Sequence, residues 1–325
     1  MIGHSPAQIS NSQPNDNQPG NNKSIHGAPF FGIVVLQHNN SSDTIECLES
    51  LNVKELPAGF SVFVVDNASK PDELINTKNF IQSQGYKRVQ LIESSINLGY
   101  AGGNNLGVKK ALAENCKWIV ILNNDTVAEN DFAEKIIKQI SELPAVDIWG
   151  PLFEEKNKRI GPGKIHWLKP ELKLSETRET TARNVEKDEY LTGACLVVKK
   201  QVFEKLGGFD ERFFLYFEDV DFCQRALKSD FKIRWTPDLT LIHKGSATTE
   251  KLGSPLLLRY HYRNAFLFNW KNGPLWVKLG LFVWIKMLIF RQLVKLIFLP
   301  RKRNESEAIL GAVMDFLNGR FGKIH

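Results

Sequence analysis

A strand–helix alternation runs four times through the first half of this chain. Short apolar runs at 30–36, 61–65, 89–93 and 118–122 read as buried strands. Helical segments follow each: one capped by Ser42 or Asp43 and running to about Leu51, one through about Phe80, one from about Asn104 to Glu114, and one from about Asp131 to Glu142. This pattern predicts an α/β fold, a parallel sheet covered by helices on both faces. Polar residues gather just after each strand, at Gln37 to Asn40, Asp66 to Ser69, Asn97 to Asn104 and Asn123 to Thr126. Ligands of open α/β sheets bind beyond the carboxyl ends of the strands, so these four loops are expected to converge on one site.

The second half is less regular. Residues 150–190 are polar, with Pro and Gly, and read as irregular or as a short hairpin. A strand is expected over Leu191 to Val198, a helix over Lys200 to Leu206 stopped by Gly207-Gly208, and a helix over Asp219 to Lys228. Lys232 to Trp235 and Thr240 to His243 read as two short strands.

Composition sets the outer parts apart. Hydrophobic residues at 42% and charged residues at 24% of 325 fit a folded soluble protein. Residues 1–28 are rich in Asn, Gln, Ser, Pro and Gly, too poor in apolar surface to offset ordering entropy, and are expected to be a disordered tail. The body is then 29–250 and the remainder, 251–325, an extension. From Lys251 to Asn304 there are 11 Lys or Arg and no acid, so an overall +6 leaves −5 for the rest. Leu256 to Trp270 and Leu275 to Leu299 are apolar with interspersed basic residues and Trp270, Trp276 and Trp284, but hold no run of 18 uncharged apolar residues. Two readings stand: helices lying in an anionic membrane interface, which is favoured, or helices packed onto the body. Nucleic acid ranks behind both, since a solvated phosphate-binding face would be less apolar. Cys47, Cys116, Cys195 and Cys223 are scattered without a Cys-x-x-Cys pair, so a reducing compartment is expected rather than disulfides or structural zinc. The start lacks a basic segment followed by an apolar run, so no secretory signal is expected.

Four constellations can carry chemistry. Asn123-Asn124-Asp125 at a strand end could hold a divalent cation, though Asn and Asp also favour turns. Asn97 to Asn105 contains Gly99, Gly102 and Gly103 before a helix, where backbone N–H groups could meet a phosphate; it is neither a Walker loop nor Gly-x-Gly-x-x-Gly. Phe213 to Phe217 runs straight into Glu218, Asp219 and Asp221. Apolar walls would raise the proton affinity of such a carboxylate and suit a general base, while acids also favour helix starts. His243 ends an apolar strand and is a metal ligand or a structural histidine.

Taken in order, these motifs resemble the family 2 glycosyltransferases of the GT-A fold, and within them bacterial rhamnosyltransferases of cell-surface polysaccharide assembly. The resemblance covers about Phe31 to Thr248 through Val64 to Ser69, Asn97 to Asn105, Leu122 to Thr126, Thr192 to Cys195, Gly207 to Glu211, Phe213 to Asp221 and Ile242-His243. It implies a nucleotide pocket formed by Gln37, His38, Asn39, Asp66, Asn97, Gly102, Gly103, Asn104, Asn123 and Asn124. It further implies Mg²⁺ or Mn²⁺ held by Asp125 and His243, Asp219 as catalytic base, and Glu218, Gly193 and Ala194 on the acceptor side. Asn123 stands where the family's metal motif commonly has Asp, and Gln37-His38-Asn39 where Thr-Tyr-Asn is common. Arg234-Trp235 lacks the Gln of the processive Gln-x-x-Arg-Trp motif, so transfer of a single sugar is expected.

The expected enzyme is thus an inverting transferase on the cytoplasmic membrane face. It would move one sugar, rhamnose from dTDP-rhamnose by analogy, to a saccharide or lipid-linked saccharide. A sugar nucleotidyltransferase and a non-catalytic nucleotide- or carbohydrate-binding partner are the rival readings.

Overall fold

A computed structural model describes residues 30–245 and 254–324, so the expected disordered tail at 1–28 lies outside the described residues. The alternation of the first half builds β1 (Phe31–Gln37), α1 (Ser41–Ser50), β2 (Phe60–Asn67), α2 (Pro71–Gln84), β3 (Val89–Ser94), α3 (Gly99–Ala113) and β4 (Trp118–Asn123). These strands pair in parallel in the order β3-β2-β1-β4. Gln37 is level with Asp66, and Leu36 with Asn123, so the loops after the strands open at one sheet edge. β1 is buried on both faces: Val34 packs with α3 on one side, Ile33 and Val35 with α1 on the other.

α3 begins at Gly99, five residues earlier than expected, and the glycines serve its packing. Gly99 has φ +73°, and a Cβ there would sit 2.4 Å from the Phe214 carbonyl oxygen. A Cβ on Gly103 would lie 2.5 Å from Leu36, so the absence of a side chain lets α3 rest directly on β1.

After β5 (Thr126–Ala128) and α4 (Phe132–Glu142) come β6 (Ile148–Glu155), β7 (Lys158–Ile165), β8 (Leu172–Glu176), β9 (Arg183–Asn184) and β10 (Glu189–Tyr190). Of the two readings of 150–190, irregular chain or a short hairpin, the hairpin holds for its first part, where β6 and β7 pair antiparallel, and further strands follow. Its Gly and Pro hid the strand period, yet Gly163 is required where the Tyr190 ring lies 2.3 Å from a Cβ position. β11 (Cys195–Lys199) runs antiparallel to β4, so residues 192–194 leave the expected strand and face the sheet edge. α5 (Lys200–Leu206) ends at left-handed Gly207, as its sequence predicts. α6 (Glu218–Lys228) follows, and β12 (Ile233–His243) joins the two expected short strands, with a register shift between Thr236 and Thr240. Its end pairs antiparallel with β5, setting His243 opposite Thr126.

The extension forms α7 (Pro255–Asn272), α8 (Leu275–Phe298) and, beyond the two apolar segments singled out by sequence, α9 (Arg303–Leu317). No helix among the described residues is long and apolar enough to cross a membrane. α7 buries Ala265, Leu267 and Phe268 in the same core as α3 and α6. α8 buries Val277, Leu281, Ile285, Leu288 and Gln292 and leaves Trp276, Leu279, Val283, Phe290, Val294 and Ile297 exposed along the opposite face.

Candidate active site

A cleft of about 450 Å³ opens beyond the strand ends. His38, Asn97, Asn123, Asn124, Asp125, Gly193, Ala194, Glu218, Asp219 and His243 line it, so ten residues singled out by sequence come together. Gln37, Asn39, Asp66, Gly102, Gly103 and Asn104 are not among the lining residues.

Their bonds explain where those six go. The Thr77 hydroxyl donates to Gln37 Oε1 at 2.6 Å, Gln37 Nε2 donates to Asp66 Oδ1 at 3.0 Å, and the Ser69 amide donates to Asp66 Oδ2 at 3.1 Å. Gln37 and Asp66 thereby form a buried polar chain that fixes the ends of β1 and β2. Asn39 accepts from the Lys70 amide at 2.7 Å, and Asn104 is buried with its amide on the Tyr100 carbonyl. Gly102 and Gly103 are buried in the first turns of α3.

A chain of bonds orients the cleft side of this region. Asn97 Oδ1 accepts from the Gly99 amide at 2.8 Å, which turns its Nδ2 toward His38 Nε2 at 3.1 Å. His38 Nε2 is then the acceptor, and Nδ1–H donates to the Asn67 carbonyl at 2.9 Å. The expectation that the N-terminus of α3 offers free amides to a phosphate is corrected. The amides of Leu98 and Gly99 bond Asn67 Oδ1 and Asn97 Oδ1, and those of Tyr100 and Ala101 bond the Phe214 carbonyl. The aromatic loop stops that helix end.

Across the cleft, Asp125 Oδ1 and His243 Nε2 lie 3.4 Å apart. Both atoms are buried without a hydrogen-bond partner. Glu155 Oε2 is 3.7 Å from His243 Nδ1. Burial pushes the imidazole toward its neutral form, but Asp125 and Glu155 outweigh it and raise its proton affinity. The Asn124 amide bonds the Asn40 carbonyl and Thr44, tying this strand end to α1. A carboxylate oxygen and an imidazole nitrogen facing each other unsatisfied are chemically suited to a divalent cation. Among the described residues no cluster of three or more His, Cys, Asp or Glu is set to hold one, so further ligands would come from elsewhere.

The acidic pair sits where α6 begins. Asp219 Oδ2 accepts from the Gly193 amide and Oδ1 from the Val220 amide, each at 2.8 Å. Burial raises its proton affinity, with those backbone bonds pulling the other way. Glu218 is raised much further, by burial and then by the charge of Asp219, and its Oε2 is buried without a partner. Asp221 belongs elsewhere: fully buried, it bonds Arg225, Lys271 and Asn272 and anchors α6 to α7.

The loop before the pair holds Phe214, Tyr216 and Phe217 at φ 61°, 70° and 73°. Left-handed backbone at bulky residues costs about 1–3 kcal/mol each and persists only where neighbours enforce it. Here Asn264 Nδ2 on α7 reaches the Phe213, Leu215 and Tyr216 carbonyls at 2.6, 2.7 and 3.1 Å.

This arrangement can be set beside known proteins. Residues 32–207 match the family described as glycosyl transferase family 2. The chain belongs to that family. The transferase is 26% identical over 263 residues to the low-salt glycan biosynthesis hexosyltransferase Agl10 of Haloferax volcanii, covering 73% of this chain and 74% of that protein. It is 25% identical over 244 residues to the dTDP-rhamnosyl transferase RfbF of Shigella flexneri, covering 72% and 79%. Its fold is shared by the mannosyltransferase PcManGT of Pyrobaculum calidifontis, solved in complex with GDP-Man and Mn²⁺. That match has a TM-score of 0.53 at 14% identity and covers 94% of this chain and 90% of that one. Two longer solved proteins also share it, the chain spanning 43% and 40% of their lengths.

Several lining residues of the transferase received no role from its sequence, Tyr100, His261 and Glu155 among them. The Tyr100 hydroxyl donates to the Gly193 carbonyl at 2.6 Å, on the residue whose amide holds Asp219. It stands inside the glycine motif but carried no separate signal. His261 on α7 lies against the Pro170 carbonyl, leaves Nδ1 buried without a partner, and is kept neutral by burial. Glu155 lies in the segment read as irregular or as a short hairpin. A polar His in an apolar run was the available clue for His261.

Proposed function

We propose that this glycosyltransferase is inverting and non-processive, and moves one hexose from a nucleotide diphosphate to a hydroxyl of a saccharide acceptor. The observation that carries this reading is one cleft walled by a half-buried carboxylate of raised proton affinity, Asp219, and by the unsatisfied Asp125–His243 pair. Asp219 takes the proton of the acceptor hydroxyl, and that oxygen bonds to the anomeric carbon. The bond from that carbon to the diphosphate breaks on the opposite face, and its electron pair leaves on the diphosphate oxygen. Glu218, Gly193 and Ala194 orient the acceptor. His38, Asn97, Asn123 and Asn124 meet the nucleotide side directly, while Gln37, Asn39, Asp66, Gly102, Gly103 and Asn104 support that wall from behind. Asp125 and His243 would hold Mg²⁺ or Mn²⁺, which when bound neutralises charge on the leaving diphosphate.

The likeness to RfbF favours dTDP-rhamnose as donor. We assign 29–250 as the catalytic domain and 251–325 as an extension that holds the enzyme on the cytoplasmic face of a membrane, beside a lipid-linked acceptor. The exposed apolar face of α8, interspersed with Lys and Arg, supports that placement. The test is turnover of a panel of nucleotide sugars with Mn²⁺ and a polyprenyl-diphosphate-linked saccharide. Transfer of one sugar with inverted anomeric configuration is expected. Retained configuration, repeated addition, or pyrophosphate release from a nucleoside triphosphate and a sugar 1-phosphate would each overturn the reading.

A further inference from the structure

A second cavity, about 540 Å³, lies away from the cleft, between α7, α9 and the turn that follows α9. Four cationic side chains line it, Arg259, Arg263, Arg320 and Lys323, against one carboxylate, Asp315. That carboxylate is already engaged: Arg259 Nε and Nη2 grip its two oxygens at 2.7 and 2.9 Å. Arg263 is the odd member. It is only 1% exposed, its Nε donates to Asn264 Oδ1 at 3.1 Å, and its Nη2 is buried with no hydrogen-bond partner. Its face rests on the Tyr260 ring, 5.1 Å from the centroid.

A guanidinium removed from water without an anion is costly, and burial here depresses its proton affinity to about 10. Proteins keep such a group where it has a task. Asp315 is gripped by Arg259 and its charge also reaches Arg263, so one carboxylate is shared among four cations and the cavity keeps an excess of positive charge. Converging guanidinium and ammonium groups match the several oxygens of a phosphoryl group better than the two of a carboxylate.

We propose that this cavity is a binding site for a phosphate or diphosphate group, separate from the nucleotide cleft. The ligand's charge would meet Arg263 Nη2 at the buried wall and Arg320 and Lys323 nearer the mouth. The site is also joined to the cleft. Tyr260, under Arg263, stacks on Phe214 with ring centroids 5.2 Å apart, and Asn264, beside Arg263, holds the loop that carries Phe214. Occupancy would thus stiffen the aromatic wall of the active site from behind. The inference rests on α7, α9 and the turn after α9 and stands whatever the donor sugar is.

The test uses the full chain and inorganic pyrophosphate, titrated calorimetrically at low salt in EDTA, which withholds the metal proposed for diphosphate binding in the cleft; dTDP affinity is measured separately with Mn²⁺. Pyrophosphate should bind under these conditions, and Arg320→Ala/Lys323→Ala should weaken it about tenfold or more while leaving dTDP affinity unchanged. Arg263→Gln should abolish it, and the double variant keeps the test valid if that protein does not fold. The source is separated by vesicles of equal surface charge carrying either phosphatidic acid or phosphatidylglycerol. Binding of free pyrophosphate indicates a soluble phosphoryl ligand, and a preference for phosphatidic acid lost in the double variant indicates a lipid-borne phosphate monoester. If wild type binds neither pyrophosphate nor phosphatidic acid better than the folded double variant does, the site is refuted.

Discussion

Replacing Asp219 by Asn separates catalysis from folding in a way the geometry allows to be sized. Each carboxylate oxygen accepts one backbone N–H, from Gly193 and from Val220, at 2.8 Å. Asn keeps the shape but only one acceptor, so one of these N–H groups meets a donor. A hydrogen bond to a charged group is worth about 1.5–3 kcal/mol. Set against that is the burial that already raises the proton affinity of Asp219, which a neutral side chain relieves. The two effects oppose, and the net stability change is expected to stay within about 2 kcal/mol. The rate effect runs one way. A general base contributes about 10²–10⁴-fold, or roughly 3–5 kcal/mol of transition-state stabilisation. Transfer measured with saturating donor should fall by that factor, while nucleotide affinity by calorimetry changes only a few-fold. In wild type the acid limb of kcat/KM should lie above about pH 4, the ordinary aspartate range, because the base must be deprotonated to act. Asp219→Asn transferring sugar within about tenfold of wild type, with the same acid limb, would remove Asp219 from proton transfer.

Three further outcomes follow from the site and the extension. Donor binding should depend on Mn²⁺ in wild type, and Asp125→Ala should lose that dependence; equal nucleotide affinity in EDTA and Mn²⁺ would count against the metal site. Glu218 binds its proton more tightly folded than unfolded, so its stabilising contribution is complete below the usual glutamate range, about pH 4.3, and is lost as pH rises through the folded value. Glu218→Gln cannot ionise, so its melting temperature should gain on wild type toward alkaline pH and match it in acid; a constant offset across pH 5–9 would contradict this. Replacing exposed Trp276, Leu279, Val283 and Phe290 by Ser should reduce sedimentation with anionic liposomes without lowering the melting temperature, and unchanged sedimentation would exclude α8 as the membrane-facing element.

The parallel half of the fold was legible because buried strands have a simple signature. Ile33, Val35, Val62, Val64, Ile119 and Ile121 fall in uninterrupted apolar runs, and polar residues mark each strand end. The antiparallel half was not, since β7 and β8 are partly exposed and carry Lys, Arg and Glu in place of an apolar run. The gathering of Asp125, His243, Gly193 and Asp219 followed from ordered motifs, but their contacts did not. His243 reaches Asp125 only because β12 pairs with β5, a contact between residues more than a hundred positions apart. The glycine motif misled for a related reason: its amides meet Phe214, which no local pattern near Gly99 announces.

The extension reaches the cleft more closely than its apolar, basic composition implies. Three non-glycine residues of the loop before Glu218 hold left-handed backbone, at about 1–3 kcal/mol each. Two things keep that loop in place. The Tyr100 amide bonds Phe214 from the glycine motif, and the Asn264 side chain gathers three carbonyls from α7. The loop ends at Phe217, immediately before the acidic pair, so its conformation sets where Glu218 and Asp219 enter the cleft. α7 therefore shapes the cleft, His261 lining it and Asn264 holding its aromatic loop, while α8, packed beside it, presents the exposed apolar face. One helix is thus tied to the carboxylates on one side and to the outward-facing helix on the other. A load on α8 has a short path to the acidic pair, through α7, Asn264 and a loop with three residues of left-handed backbone.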